Sequence, residues 1–181
     1  MIVHAFLRWI ETARPADRAK AASVLARAYA KSRIAPDDRR AAEMAMIFLL
    51  DDPAPKVRLA LAEALASCAD APRAVILPLA EDQPEIAAHI ILCSCLLTDA
   101  DLVDLAAKGS DVTRMLIANR SHVSRAVSAA LAEVGGVEDV LALLENEGAM
   151  LSRRSLTRIA ERLGHYADIR ALLLDRDDLP S

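Results

Sequence analysis

Aromatic residues, glycine and long apolar runs are all scarce in this chain of 181 residues. It holds one tryptophan, two tyrosines and two phenylalanines, so a core must be assembled from Ala, Leu, Val and Ile. Only five glycines are present, while alanine is about one residue in five. This mixture favours helices over strands and excludes a low-complexity chain. Small side chains also let helices approach to about 8–10 Å. No stretch reaches the roughly 18 continuous apolar residues of a membrane span, so none is expected. The start, "MIVHAFLRWIE", carries His4 and Arg8 and lacks a small-residue cleavage site. It reads as an amphipathic first helix with Phe6, Trp9 and Ile10 inward, not as a secretory leader. Cys68, Cys93 and Cys95 form an odd, unpatterned set that suits a reducing cytoplasm better than a disulfide framework.

Basic charge is also short. Twenty-two Lys and Arg face 26 Asp and Glu, a formal net charge of −4, which argues against a general nucleic-acid binder. The distribution is uneven: residues 1–40 hold nine basic and four acidic side chains, and residues 41–110 hold four and eleven.

What is present is punctuation that recurs. In "DDPAPKVRLALAEAL" (51–65), Asp52 can cap a helix and Pro53 fits its first position. Val57, Ala60, Leu61, Ala64 and Leu65 then line one face. Shifted by 29, Val57 falls on Ile86 and then Met115, Pro55 on Pro84, and Asp82 on Asp111. Downstream, "VSRAVSAALAEVGG" (123–136) matches "LSRRSLTRIAERLG" (151–164) at an offset of 28. Serine is a good N-cap and glycine a good stop, so each unit reads helix, Gly turn, helix. Thr98, Asp101 and Gly109 supply a cap, a capping-box partner and a stop for another helix.

Six helix pairs result, over 1–32, 37–67, 71–96, 98–119, 121–146 and 151–175. A period near 30 with two helices per unit predicts an all-α fold: one α-solenoid domain over residues 1–181, each pair stacking on its neighbours.

The same residues carry a family resemblance. Asp52, Pro55, Val57, Arg58, Ala60 and Ala64 match the second helix of a HEAT repeat, whereas Ala87 replaces the Arg in the next unit and Met115 lacks a preceding Pro. With "RWIETARPADRAKAASVLARAY" leading in, the chain is similar to an uncharacterised HEAT-like family of alphaproteobacteria, the domain of unknown function 2336. The resemblance implies a HEAT-like fold and a cytoplasmic setting, and it brings no catalytic residue.

Candidate chemistry is thin. His89 and Cys93 stand four apart on one helix face, but two ligands do not make a metal site, and both read as core. Acids cluster at helix starts (Asp37-Asp38, Asp51-Asp52, Glu81-Asp82, Asp99 and Asp101), where capping and the helix dipole account for them. Arg153, Arg154, Arg158 and Arg162 form the densest basic run, read as a solvated face with an acidic partner or phosphate as the alternative. No nucleophile elbow, phosphate loop or HExxH pattern is present.

The expected function is therefore a non-enzymatic interaction scaffold with neither metal nor cofactor, binding an unknown protein or peptide along a concave groove of second helices. The alternative is a nucleic-acid-binding or DNA-base-processing enzyme on a HEAT-like scaffold, which a basic face carrying an aromatic and an acid would favour. Groove residues are expected at Leu59, Ala88 and Ile117, two places after the first core residue of three 29-spaced helices, together with Ile91. At the far end, "DDLP" (177–180) matches "ADAP" (69–72), which leads into a helix pair. The chain is thus expected to be part of a longer protein, with Leu172, Leu173 and Leu174 as a bare apolar end open to self-association.

Overall fold

A computed structural model of the chain describes residues 2–31 and 35–175. Among the described residues there are twelve α-helices and one isolated parallel bridge, Val123 with Ala149. In chain order the helices form six pairs: α1 (Ile2–Thr12) and α2 (Pro15–Ala30), α3 (Pro36–Leu50) and α4 (Pro55–Leu65), α5 (Arg73–Ala80) and α6 (Pro84–Cys93), α7 (Asp99–Lys108) and α8 (Asp111–Ala118), α9 (Arg125–Val134) and α10 (Val137–Glu145), α11 (Arg153–Leu163) and α12 (Ala167–Leu174). These are the pairs that the punctuation predicts. Among the described residues no helix is long and apolar enough to cross a membrane.

Two kinds of residue start many of the helices. Proline occupies the first position of α2, α4 and α6, where no N–H is needed. Thr98, Ser110, Ser124 and Ser152 instead cap α7, α8, α9 and α11, each hydroxyl accepting from the N–H three residues on. Thr98 and Asp101 complete the expected capping box.

The chain gathers into two compact units, residues 1–96 and 97–181. In the first, α1, α3 and α5 pack side by side in one row, and α2, α4 and α6 in a second. Leu61, Leu65, Ile76, Leu79, Ile86 and Ile90 are buried between them. The second unit repeats this arrangement, with α7, α9 and α11 in one row and α8, α10 and α12 in the other. Its core includes Val140, Leu144, Leu156, Ile159, Ile169 and Leu173, each worth about 1.5–3 kcal/mol of apolar burial.

Arginine ties the rows. Counting each second helix from its first residue, Arg18, Arg58, Arg114 and Arg170 hold the fourth position of α2, α4, α8 and α12. Each turns its Nη1 back to a carbonyl just after the preceding first helix: Ala13 at 2.7 Å, Asp52 at 2.6 Å, Gly109 at 2.8 Å and Gly164 at 3.2 Å. A cation there satisfies a carbonyl left over at a helix C-terminus and suits its dipole. Three of the four also grip a carboxylate from the following pair. Arg18 holds Asp52 at 2.6 and 2.9 Å, Arg58 holds Asp82 at 2.5 and 3.0 Å, and Arg114 reaches Asp139 at 3.1 Å. One guanidinium thus joins a helix end, its own helix and the next pair.

These ties correct several expectations. Helix α4 starts at Pro55, not Pro53, and Asp52 is not its N-cap. The Asp52 carboxylate accepts from the Ala54 N–H at 2.9 Å and is otherwise spent on Arg18. Asp82 likewise accepts from Gln83 N–H and is held by Arg58. Trp9 is 42% exposed instead of inward, whereas Ile10 is buried and Phe6 half-buried. At the other end Leu173 is core and Leu172 packs against it, so of the three leucines only Leu174 is exposed. The "DDLP" stretch lies outside the described residues.

Burial pushes the Asp52 and Asp82 carboxyls up, but hydrogen bonds from Arg18, Arg58 and neighbouring N–H groups outweigh it and hold both below the usual carboxylate range. The unfolded chain, with carboxyls near 4, then binds more protons, so this stabilisation is full above about pH 4 and is lost as pH falls through the folded values. Urea titrations at descending pH should show this loss. Arg58→Ala should cost about 2 kcal/mol at neutral pH by orphaning Asp82 and should flatten the acid dependence.

Tyr29, buried in α2, donates to Glu43 Oε1 at 2.6 Å, with the Arg39 guanidinium 4.0 Å over its ring. Burial, then the Glu43 hydrogen bond and charge, push the phenol up to about 12. Its contribution to stability is present below the unfolded value near 10 and is lost as pH rises through about 12. In a Tyr166→Phe variant, ultraviolet absorbance should show the remaining phenol ionising near that higher value.

Candidate docking cleft

The expected groove residues do not share one environment. Ile91 and Ile117 are completely buried, at 0% exposure, and so belong to the core instead of a groove, while Leu59 and Ala88 are half-buried. The reason is register. Helices α4 and α6 start 29 residues apart, at Pro55 and Pro84, but α8 starts 27 residues later, at Asp111. The match of Asp82 with Asp111 is deceptive, because Asp82 stands two residues before its helix and Asp111 is the first residue of its own. Ile117 is therefore the seventh residue of α8, equivalent to the buried Leu61 and Ile90. Ile91 is the eighth of α6, equivalent to the buried Ala62 and Ala118.

The position that holds Leu59 and Ala88 is the fifth. In the first unit it is Ala19, Leu59 and Ala88, all half-buried. In the second it is Met115, Leu141 and Ala171, of which Met115 and Leu141 are half-buried. A solvated helix would be polar there; these six positions are apolar.

Met115 and Leu141 open into a cleft of about 680 Å³ between α8 and α10, lined also by Asn119, Glu138, Ala142, Glu145, Asn146 and Glu147. Both ends of the two helices are fastened. At the start, Arg114 bonds Asp139, the third residue of α10, whose Oδ2 also accepts from Gly136 N–H at 2.9 Å. Arg114 further bonds Asp111 and the Ala106 carbonyl. At the finish, the Asn146 amide donates to the Ala118 and Arg120 carbonyls at 2.6 and 2.8 Å, and its oxygen accepts from Gly148 N–H at 2.8 Å. Leu141 packs on one side against the buried cluster, which fixes the floor.

Glu138, Leu141, Ala142 and Glu145 recur at i, i+3, i+4 and i+7 along α10, so acid, apolar, apolar, acid share one face. Glu138, Glu145 and Glu147 are exposed and make no ion pair among the described residues. The face is chemically suited to apolar contact flanked by cations.

The other candidates divide differently. His89 is half-buried and Cys93 exposed, against the expected burial of both. Cys95 lies beyond the end of α6 and is exposed. Among the described residues no three His, Cys, Asp or Glu side chains gather as metal ligands. In the basic run, Arg162 donates to the Ala132 and Gly135 carbonyls at the end of α9, and Arg158 pairs with Glu133 at 2.8 Å and Glu161 at 3.6 Å. Arg153 and Arg154 are exposed beside them, on a cleft of about 690 Å³ that Glu133 and Glu161 share.

The turn carrying Asn146 and Glu147 into the cleft depends on a close approach at Gly148. Val123 N–H donates to the Gly148 carbonyl at 3.1 Å, and a Cβ on Gly148 would stand 2.2 Å from the Ser121 carbonyl oxygen. Gly148→Ala should therefore destabilise the protein by about 1–3 kcal/mol, read as a lowered urea midpoint at unchanged slope.

No curated protein and no solved structure matches the chain. A family model described as "Uncharacterised protein conserved in bacteria (DUF2336)" matches residues 86–181, from α6 through the whole of the second unit. The chain belongs to that bacterial family.

Proposed function

We propose that this protein is a non-enzymatic interaction module of the bacterial cytoplasm, a single HEAT-like α-solenoid domain whose second helices receive a helix or peptide of a partner protein. The observation that carries the reading is the α8/α10 cleft, in which Met115, Leu141 and Ala142 are reachable from solvent among flanking carboxylates and amides, between two fastened helix ends. An apolar floor reachable from solvent is what helix-in-groove recognition uses. Recurrence of the fourth-position arginine in both units supports a repeating scaffold. A nucleic-acid reading would call for a basic face, whereas the ionisable side chains lining this cleft are carboxylates.

A photoreactive amino acid at Ala142, on the cleft floor, should crosslink a partner in living cells, whereas one at the exposed Ala160 on α11 should not. The partner, purified, should bind Ala142→Arg at least about tenfold more weakly than wild type, a loss of about 1.4 kcal/mol. Equal capture at both positions, or unchanged affinity, would refute the docking role of the cleft.

A further inference from the structure

We propose that the occupant of the α8/α10 cleft is a basic amphipathic helix, bearing Lys or Arg at two places seven residues apart with apolar residues three and four places after the first. The inference rests on the docking role just proposed and specifies the chemistry of the partner.

The geometry of α10 sets the pattern. At 1.5 Å per residue, Glu138 and Glu145 are roughly 10 Å apart along the helix, with Leu141 and Ala142 between them on the same face. A helix laid along this face would meet each carboxylate with a cation of its own at the same spacing, and its i+3 and i+4 side chains would rest on Leu141, Ala142 and Met115. Methionine at the floor adapts to varied apolar shapes. Glu147 extends the acid rim beyond the end of α10.

Other ligand chemistries fit less well. An anion would face three carboxylates with no cation among the lining residues. A single metal ion takes oxygens at about 2–2.6 Å, which Glu138 and Glu145 cannot both supply across two helical turns. An extended strand would need a free sheet edge, and this face is built of helices. The chain's net charge of −4 adds long-range attraction for a basic segment.

The test uses the full chain and two labelled synthetic helical peptides, followed by fluorescence anisotropy. One peptide has Lys at two positions seven apart and Leu three and four places after the first; the other has Glu in place of both Lys. The Lys peptide should bind at least about tenfold more tightly than the Glu peptide, an advantage that shrinks as salt is raised. Glu138→Lys/Glu145→Lys should reverse the order. Both residues are exposed and make no ion pair among the described residues, so circular dichroism and the thermal midpoint should show the variant folded.

Equal affinity for the two peptides, no binding of either, or an order unchanged by the double substitution would overturn the proposal. If Ala142→Arg abolishes two equal affinities, the cleft docks helices but not basic ones. If it alters neither, the docking role fails as well. Self-association of the wild-type chain that the double substitution abolishes would make the occupant a second copy and would also overturn the proposal.

Discussion

A guanidinium placed at the fourth residue of a second helix organises much of this protein. From there it reaches back to the carbonyl that closes the preceding first helix, and in α2, α4 and α8 it also reaches forward to a carboxylate of the following pair. Arginine suits the position because its planar fork donates in several directions at once and stays charged at any accessible pH. Lysine, a compact point charge, could not join three segments in this way. The apolar core supplies most of the stabilisation, but small aliphatic side chains specify relative placement only loosely. The directional bonds of Arg18, Arg58 and Arg114 fix how one pair is set against the next within each unit.

Much of this architecture is legible in the sequence, because helix ends are chemically explicit. Pro84, and Thr98, Ser124 and Ser152, mark starts through a missing N–H or a hydroxyl that accepts one, whereas at α4 Pro53 competes with the true first residue, Pro55. The repeat period is less secure. In a chain where alanine and leucine recur everywhere, a two-residue shift still places apolar side chains on apolar side chains, so Ile117 aligned convincingly with Leu59 although it corresponds to Leu61. Aspartates add to the ambiguity. The same residue type precedes α6 as an arginine partner and begins α8 as a first-turn acid. The arginine at the fourth position would have set the register, since Arg58 and Arg114 mark it directly.

The cleft is less legible. Its α10 face is visible as spacing, yet Leu141 and Ala142 read equally well as core. What separates the readings is the neighbour: α8 contributes Met115 from 26 residues upstream, and the helices are joined by Arg114 to Asp139 and by Asn146 to Ala118. Such cross-helix bonds have no local signature. His89 and Cys93 show the converse: one apolar stripe predicts burial for both, and the structure leaves His89 half-buried and Cys93 exposed.

The fourth-position arginines also bear on inheritance. Arg18 with Asp52 and Arg58 with Asp82 lie wholly within residues 1–96, and Arg114 with Asp139 lies wholly within residues 97–181. The intervening helix, α6, has Ala87 where the arginine would stand. Recombination between Leu96 and Leu97 would sever none of these bonds, and every residue that lines or fastens the α8/α10 cleft would travel together on the second segment.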